Sequence, residues 1–190
     1  IGEIDDHLES LSGAEGDPAH LYLSGLKVLQ SVLERVGAGL SPLNDELCMI
    51  AHRVMAGPVS RLESVLGLLA GSMGREHASS LHMARALSQS TLSDDSRAEV
   101  MTMHHLGLMA IASEDPLRAS FLFEKAAEQS SFSNKTRLTN LVAAGISRHL
   151  VGEDEVAKSL ISGASKIVAK DKESAIDPLL DLARSLMGID

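Results

Sequence analysis

The chain has 190 residues and carries 17 Lys and Arg against 26 Asp and Glu, a formal net charge of −9. Hydrophobic residues make up 44% but aromatic ones only 2%. The core must therefore come from Leu, Ile, Val, Ala and Met, which excludes global disorder and disfavours an all-β fold. The acidic balance, with no run of four basic residues, argues against direct nucleic-acid binding, and no run of 18 apolar residues offers a membrane span.

In chain order, residues 1–17 are polar, and Ile4, Leu8 and Leu11 allow a short helix in an otherwise flexible segment. The acidic start lacks a signal-peptide pattern, and its first residue, Ile1, suggests a piece of a longer chain. Asp17-Pro18 predicts an N-cap with Pro at the first helical position. The helix beyond it should stop at Gly37-Ala38-Gly39. Ser41-Pro42 restarts a helix of about 14 residues, ending near Gly57-Pro58. In it, Leu47-Cys48-Met49-Ile50 reads as core, with Cys48 a small buried hydrophobe. One cysteine allows no internal disulfide and suits a reducing, cytoplasmic compartment.

Further helices are predicted over 60–69, 77–88, 96–112, 116–129, 135–150, 154–169 and 174–187, joined by short polar turns. Asp115-Pro116 is a second cap-and-restart signal, and the acids of Glu153-Asp154-Glu155 suit a helix start. No segment alternates apolar and polar residues, so no strand is expected.

Self-comparison exposes a repeat. Gly67, Ser79, Met83 and Ala86 share one set of offsets with Gly107, Ala119, Phe123 and Ala126, and with Gly145, Ala157, Ile161 and Ala164. The gaps are 12, 4 and 3 residues each time, and the copies start 40 and 38 residues apart. A glycine on one helix admits a close antiparallel neighbour. A small residue past the turn meets it, and a large apolar residue one turn later fills the gap.

With Leu66-Gly67, Leu106-Gly107 and Ala144-Gly145 opening the copies, the sequence resembles the tetratricopeptide repeat (TPR) family. The copies depart from the family pattern: its Trp position holds Glu63, Met103 and Leu141, and its terminal Pro position Thr91, Ser131 and Ala169. The resemblance implies an all-α fold, a right-handed α-α superhelix or TPR-like solenoid of antiparallel helix pairs. A single helical-repeat domain would span 18–190: a divergent pair over 18–57, TPR-like repeats over 60–93, 100–133 and 138–171, and a capping helix over 174–187. Another α-solenoid and a closed bundle are the competing architectures.

The resemblance also implies a concave groove lined by the first helix of each pair. It would hold Arg61, Ser64 and Leu68, then Met101, His104, Leu108 and Ile111, then Thr139, Val142, Ile146 and His149. That strip is mostly apolar, so it suits a hydrophobic peptide or partner helix rather than an acidic chain end. Neither the His77/His82 nor the His104/His105 spacing puts two imidazoles on one helix face, so no metal and no cofactor is expected. No nucleophile, phosphate-binding or dinucleotide motif is present, so the reading is a non-enzymatic adaptor, scaffold or assembly subunit. Its partner would be another protein, with a homo-oligomer or larger complex compatible. The alternative is a regulatory or sensor domain of a larger signalling or transcription protein.

Overall fold

Caps written into the chain set where its helices begin. Asp17 Oδ1 accepts from Ala19 N at 3.1 Å, Asp95 Oδ1 from Arg97 N at 3.0 Å, Asp115 Oδ1 from Arg118 N at 3.1 Å and Ser133 Oγ from Thr136 N at 3.2 Å. The computed structural model describes residues 4, 6–9, 16–40, 45–93, 95–170 and 178–189. Among them, eight helices follow in order: α1 Pro18–Leu40, α2 Asp45–Ser72, α3 Glu76–Leu92, α4 Ser96–Ala112, α5 Pro116–Gln129, α6 Asn134–Leu150, α7 Asp154–Lys170 and α8 Pro178–Met187. Ile4 and residues 6–9 are also helical. The described residues contain no strand, so the fold is all-α.

Two expected helix ends do not occur. α2 runs straight through Gly57-Pro58 as one 28-residue helix. Pro58 withholds the hydrogen bond that would reach the Val54 carbonyl, but Val54 is exposed, so water can serve that carbonyl. Packing favours continuity, because a Cβ on Gly57 would sit 2.8 Å from the Asp95 side chain. α1 likewise continues past Gly37, which faces open space. The expected start at Ser41-Pro42, the Leu11 position, Asp94 and residues 171–177 lie outside the described residues.

The three repeat copies have the same backbone hydrogen bonding at their turns. Seven residues after each repeat glycine stands a residue with left-handed φ: Gly74 at 71°, Glu114 at 57° and Gly152 at 81°. In each, the following amide donates to the carbonyl five residues back: Arg75 to Ala70, Asp115 to Ala110 and Glu153 to Arg148, at 2.9, 2.9 and 3.0 Å. This closure caps the last turn of the first helix. Glu114 is the one non-glycine of the three, so its copy pays a left-handed strain that the others avoid.

The chain divides into two compact units, residues 1–102 and 103–190, with the boundary inside α4. The 60–93 repeat belongs to the first unit, 138–171 to the second, and 100–133 contributes to both. In the first unit, α1 packs on α2 and α2 on α3. Tyr22, Leu29, Val32, Val59, Leu62, Leu66 and Ala70 form its core with Ile4. In the second, α5 packs on α6, and α6, α7 and α8 pack around Leu138, Val142, Ala157, Ile161, Leu180 and Ala183. A second cluster joins Ala110, Ala119, Phe123 and Ala144.

The close approach of paired helices is measurable at each repeat glycine. A Cβ would lie 2.8 Å from Met83 Cε at Gly67, 2.6 Å from Phe123 Cε1 at Gly107 and 2.8 Å from Ile161 Cδ1 at Gly145. The large residue sixteen positions after each glycine is therefore the one that occupies its face. Ser79, Ala119 and Ala157 are all buried beside them, and Ser79 Oγ donates to the Gly67 carbonyl at 2.8 Å.

Leu47-Cys48-Met49-Ile50 is not core. Leu47, Met49 and Ile50 are exposed and Cys48 is half-buried, because the first three turns of α2 carry apolar residues that the described helices leave uncovered.

Candidate functional site

In the first unit, three groove positions lie on α2 and one on α4. The Arg61 guanidinium Nη1 donates to Asp95 Oδ2 at 2.9 Å, which ties α2 to the start of α4. Ser64 is fully buried and returns its hydroxyl to the Arg61 carbonyl at 2.8 Å. Leu68 and Met101 are half-buried.

In the second unit, α4 and α6 are joined by a hydrogen bond between His104 Nδ1 and Asn140 Oδ1 at 2.9 Å. Asn140 Nδ2 donates to the Thr136 carbonyl, which fixes the amide orientation and makes His104 Nδ1–H the donor. The His104 ring also lies 5.4 Å from the buried Phe123 ring. Leu108 and Ile111 are 41% and 36% exposed on the same helix, one and two turns further on. On α6, Thr139 bonds its own helix through the Lys135 carbonyl, Val142 is fully buried, and Ile146 is half-buried against the Leu138–Val142 core. His149 Nδ1 lies 2.7 Å from Asp154 Oδ1.

These placements separate two kinds of position. Ser64 and Val142 have no surface to offer a ligand. Arg61, His104 and His149 each hydrogen-bond a neighbour within their units. The apolar surface that remains at the second-unit positions is Leu108, Ile111 and the edge of Ile146.

Two polar centres lie outside that set. In the first unit, Tyr22 Oη is 3.0 Å from His82 Nε2, and His82 Nδ1 is 2.5 Å from Glu63 Oε2. All three residues are buried, and together they link α1, α2 and α3. Arg85 stands 4.0 Å from Glu63, and the Arg75 guanidinium lies over the Tyr22 ring at 5.7 Å. The order carboxylate, imidazole, hydroxyl is that of an acid–base relay, but here all three members are buried. What it does is satisfy three buried polar groups at once. Sequence spacing hides this trio, because its members are 19 and 60 residues apart. The one clue was an acid, Glu63, where the TPR pattern has its Trp.

In the second unit, Arg148 Nε donates to Glu124 Oε1 at 2.8 Å and its Nη1 to Glu153 Oε2 at 2.6 Å. The hydrogen bond to Glu124 raises the guanidinium pKa above its ordinary value against the opposing effect of burial, and Glu153 adds to the rise. Arg148 therefore stays charged and bridges α5, α6 and the α6–α7 turn.

Among the described residues, no three His, Cys, Asp or Glu side chains come together to hold a metal ion, and no helix is long and apolar enough to cross a membrane. Comparison with protein-family models, with curated proteins and with solved structures finds no match.

Proposed function

We propose that the chain is a TPR-like array of antiparallel helix pairs, a right-handed α-α superhelix, and that it serves as a non-enzymatic protein-interaction module. Support for the repeat comes from the three matching turns and the three glycine contacts. The observation that carries the function is Leu108 and Ile111, two large apolar side chains exposed on α4 where its neighbours are otherwise satisfied. The surroundings suit an apolar ligand. Residues 103–112 of α4 and all of α6 contain no Asp or Glu, in a chain that has 26. A partner helix or extended peptide with an apolar stripe fits such a face, in the manner of helix-in-groove recognition. A cytoplasmic setting agrees with the single cysteine.

A selection from a phage-displayed library of amphipathic peptides tests this. Enriched peptides should lose at least about tenfold in affinity for a Leu108→Glu/Ile111→Glu variant whose circular dichroism is unchanged. Peptides that bind wild type and variant equally would remove this face from consideration.

A further inference from the structure

We propose that the first three turns of α2 are a homodimer interface, paired antiparallel with the same segment of a second copy. Leu47, Ile50 and Val54 recur at three- and four-residue spacing, and each is about half exposed: 48%, 53% and 54%. Met49, 62% exposed, stands beside Ile50. This is the spacing of a coiled-coil seam. It ends where the helix enters its own unit, at buried Gly57 against Asp95. A helix apolar at these positions is ordinarily covered.

The charges beside the seam identify the occupant. Glu46 and Arg53 are exposed, lie seven residues apart on the same flank, and make no ion pair among the described residues. A two-fold axis near Ile50 brings Leu47 opposite Val54 of the second copy and Ile50 opposite its counterpart. The same axis sets Glu46 against Arg53 of the second copy, twice over. Parallel pairing would instead set Glu46 beside Ala51 of the second copy, and both ion pairs would be lost. The segment is thus complementary to itself in the antiparallel sense, which is what an isologous interface demands. The proposal is independent of the partner face on α4, which lies on other residues.

Sedimentation equilibrium of the whole chain between about 5 and 200 µM tests it. The wild type should pass from monomer to dimer across that range. Ile50→Lys, at an exposed position, should be monomeric throughout with the same helical circular dichroism. Glu46→Arg and Arg53→Glu should each weaken dimerisation about tenfold, since each change creates two repulsive pairs by symmetry. The double variant Glu46→Arg/Arg53→Glu should return to within about threefold of wild type. A wild type that stays monomeric, a dimer indifferent to Ile50→Lys, or a double variant no tighter than its parents would each overturn the proposal. So would Ile50→Lys lowering the melting temperature without a change in mass, because that would place a segment of the same chain on α2.

Discussion

The two units solve one packing problem with different chemistry. In both, a glycine lets paired helices approach until a side chain from the next helix rests on bare backbone. Around that contact the first unit is polar. Ser79 bonds the Gly67 carbonyl, Ser60 bonds both Thr102 and the Ala86 carbonyl, and Glu63, His82 and Tyr22 form a buried chain. The second unit has one apolar cluster of Val142, Ala157, Ile161, Leu180 and Ala183, and its cross-helix polar links, His104–Asn140 and Arg148–Glu124, lie outside that cluster. The repeat therefore fixes inter-helix distance, and the unit-specific residues decide how the rest of the interface is satisfied.

The largest expected effect comes from breaking the polar solution. His82→Leu leaves the buried Glu63 carboxylate with Arg85, at 4.0 Å and half exposed, as its remaining ion-pair partner. The cost should be about 3 kcal/mol or more. Replacing the whole chain, with Glu63→Leu, His82→Leu and Tyr22→Phe together, should recover most of it, since an apolar substitute needs no partner. Urea denaturation followed by far-ultraviolet circular dichroism reads both. If the triple variant is as unstable as the single one, the first unit depends on its polar links rather than merely satisfying them.

Next comes the glycine series, which compares the units at one structural position. An added methyl at Gly107 meets the rigid Phe123 ring at 2.6 Å, so Gly107→Ala should cost about 1–2 kcal/mol after its gain in helix propensity. Gly145→Ala meets the Ile161 terminus at 2.8 Å and the Ala157 carbonyl at 3.4 Å, and should cost about 1 kcal/mol. Gly67→Ala meets the flexible end of Met83 and should be close to neutral. Equal costs at all three positions would mean that the identity of the facing side chain does not matter.

How much of this was legible in the sequence depends on the range over which each signal acts. Caps and turns are local, so Asp17 and Asp115 could be read directly, and the fixed 12- and 4-residue offsets revealed the glycine contacts. Pro58 misled because a neighbour far along the chain, Asp95, packs onto Gly57 and holds α2 together. Leu47 to Ile50 misled for the opposite reason: apolar composition states that a segment wants cover, not that its own unit supplies it. At the candidate groove, pattern alone placed Leu108 beside Val142 as equals, and only burial distinguishes the exposed side chain from the core one. The Tyr22–His82–Glu63 chain carried no local signature at all.

The smallest expected effects test the turns and the outer ion pairs. Glu114 holds a left-handed φ that its counterparts Gly74 and Gly152 adopt freely. Glu114→Gly should therefore stabilise the second unit by up to about 1 kcal/mol, while Gly152→Ala should destabilise it by a similar amount. Arg148→Met should cost no more than about 1 kcal/mol, because part of the pair is open to water, and the loss should shrink in high salt. The sign of its pH dependence follows from the raised guanidinium pKa. A cation whose pKa rises on folding contributes fully below its unfolded value and loses that contribution only as pH climbs through the higher folded value, far above neutrality. Arg148 itself should therefore add no slope to stability between about pH 6 and 9, and wild type and Arg148→Met should run parallel there; a difference in slope would show that the effect of the residue is not the guanidinium charge alone.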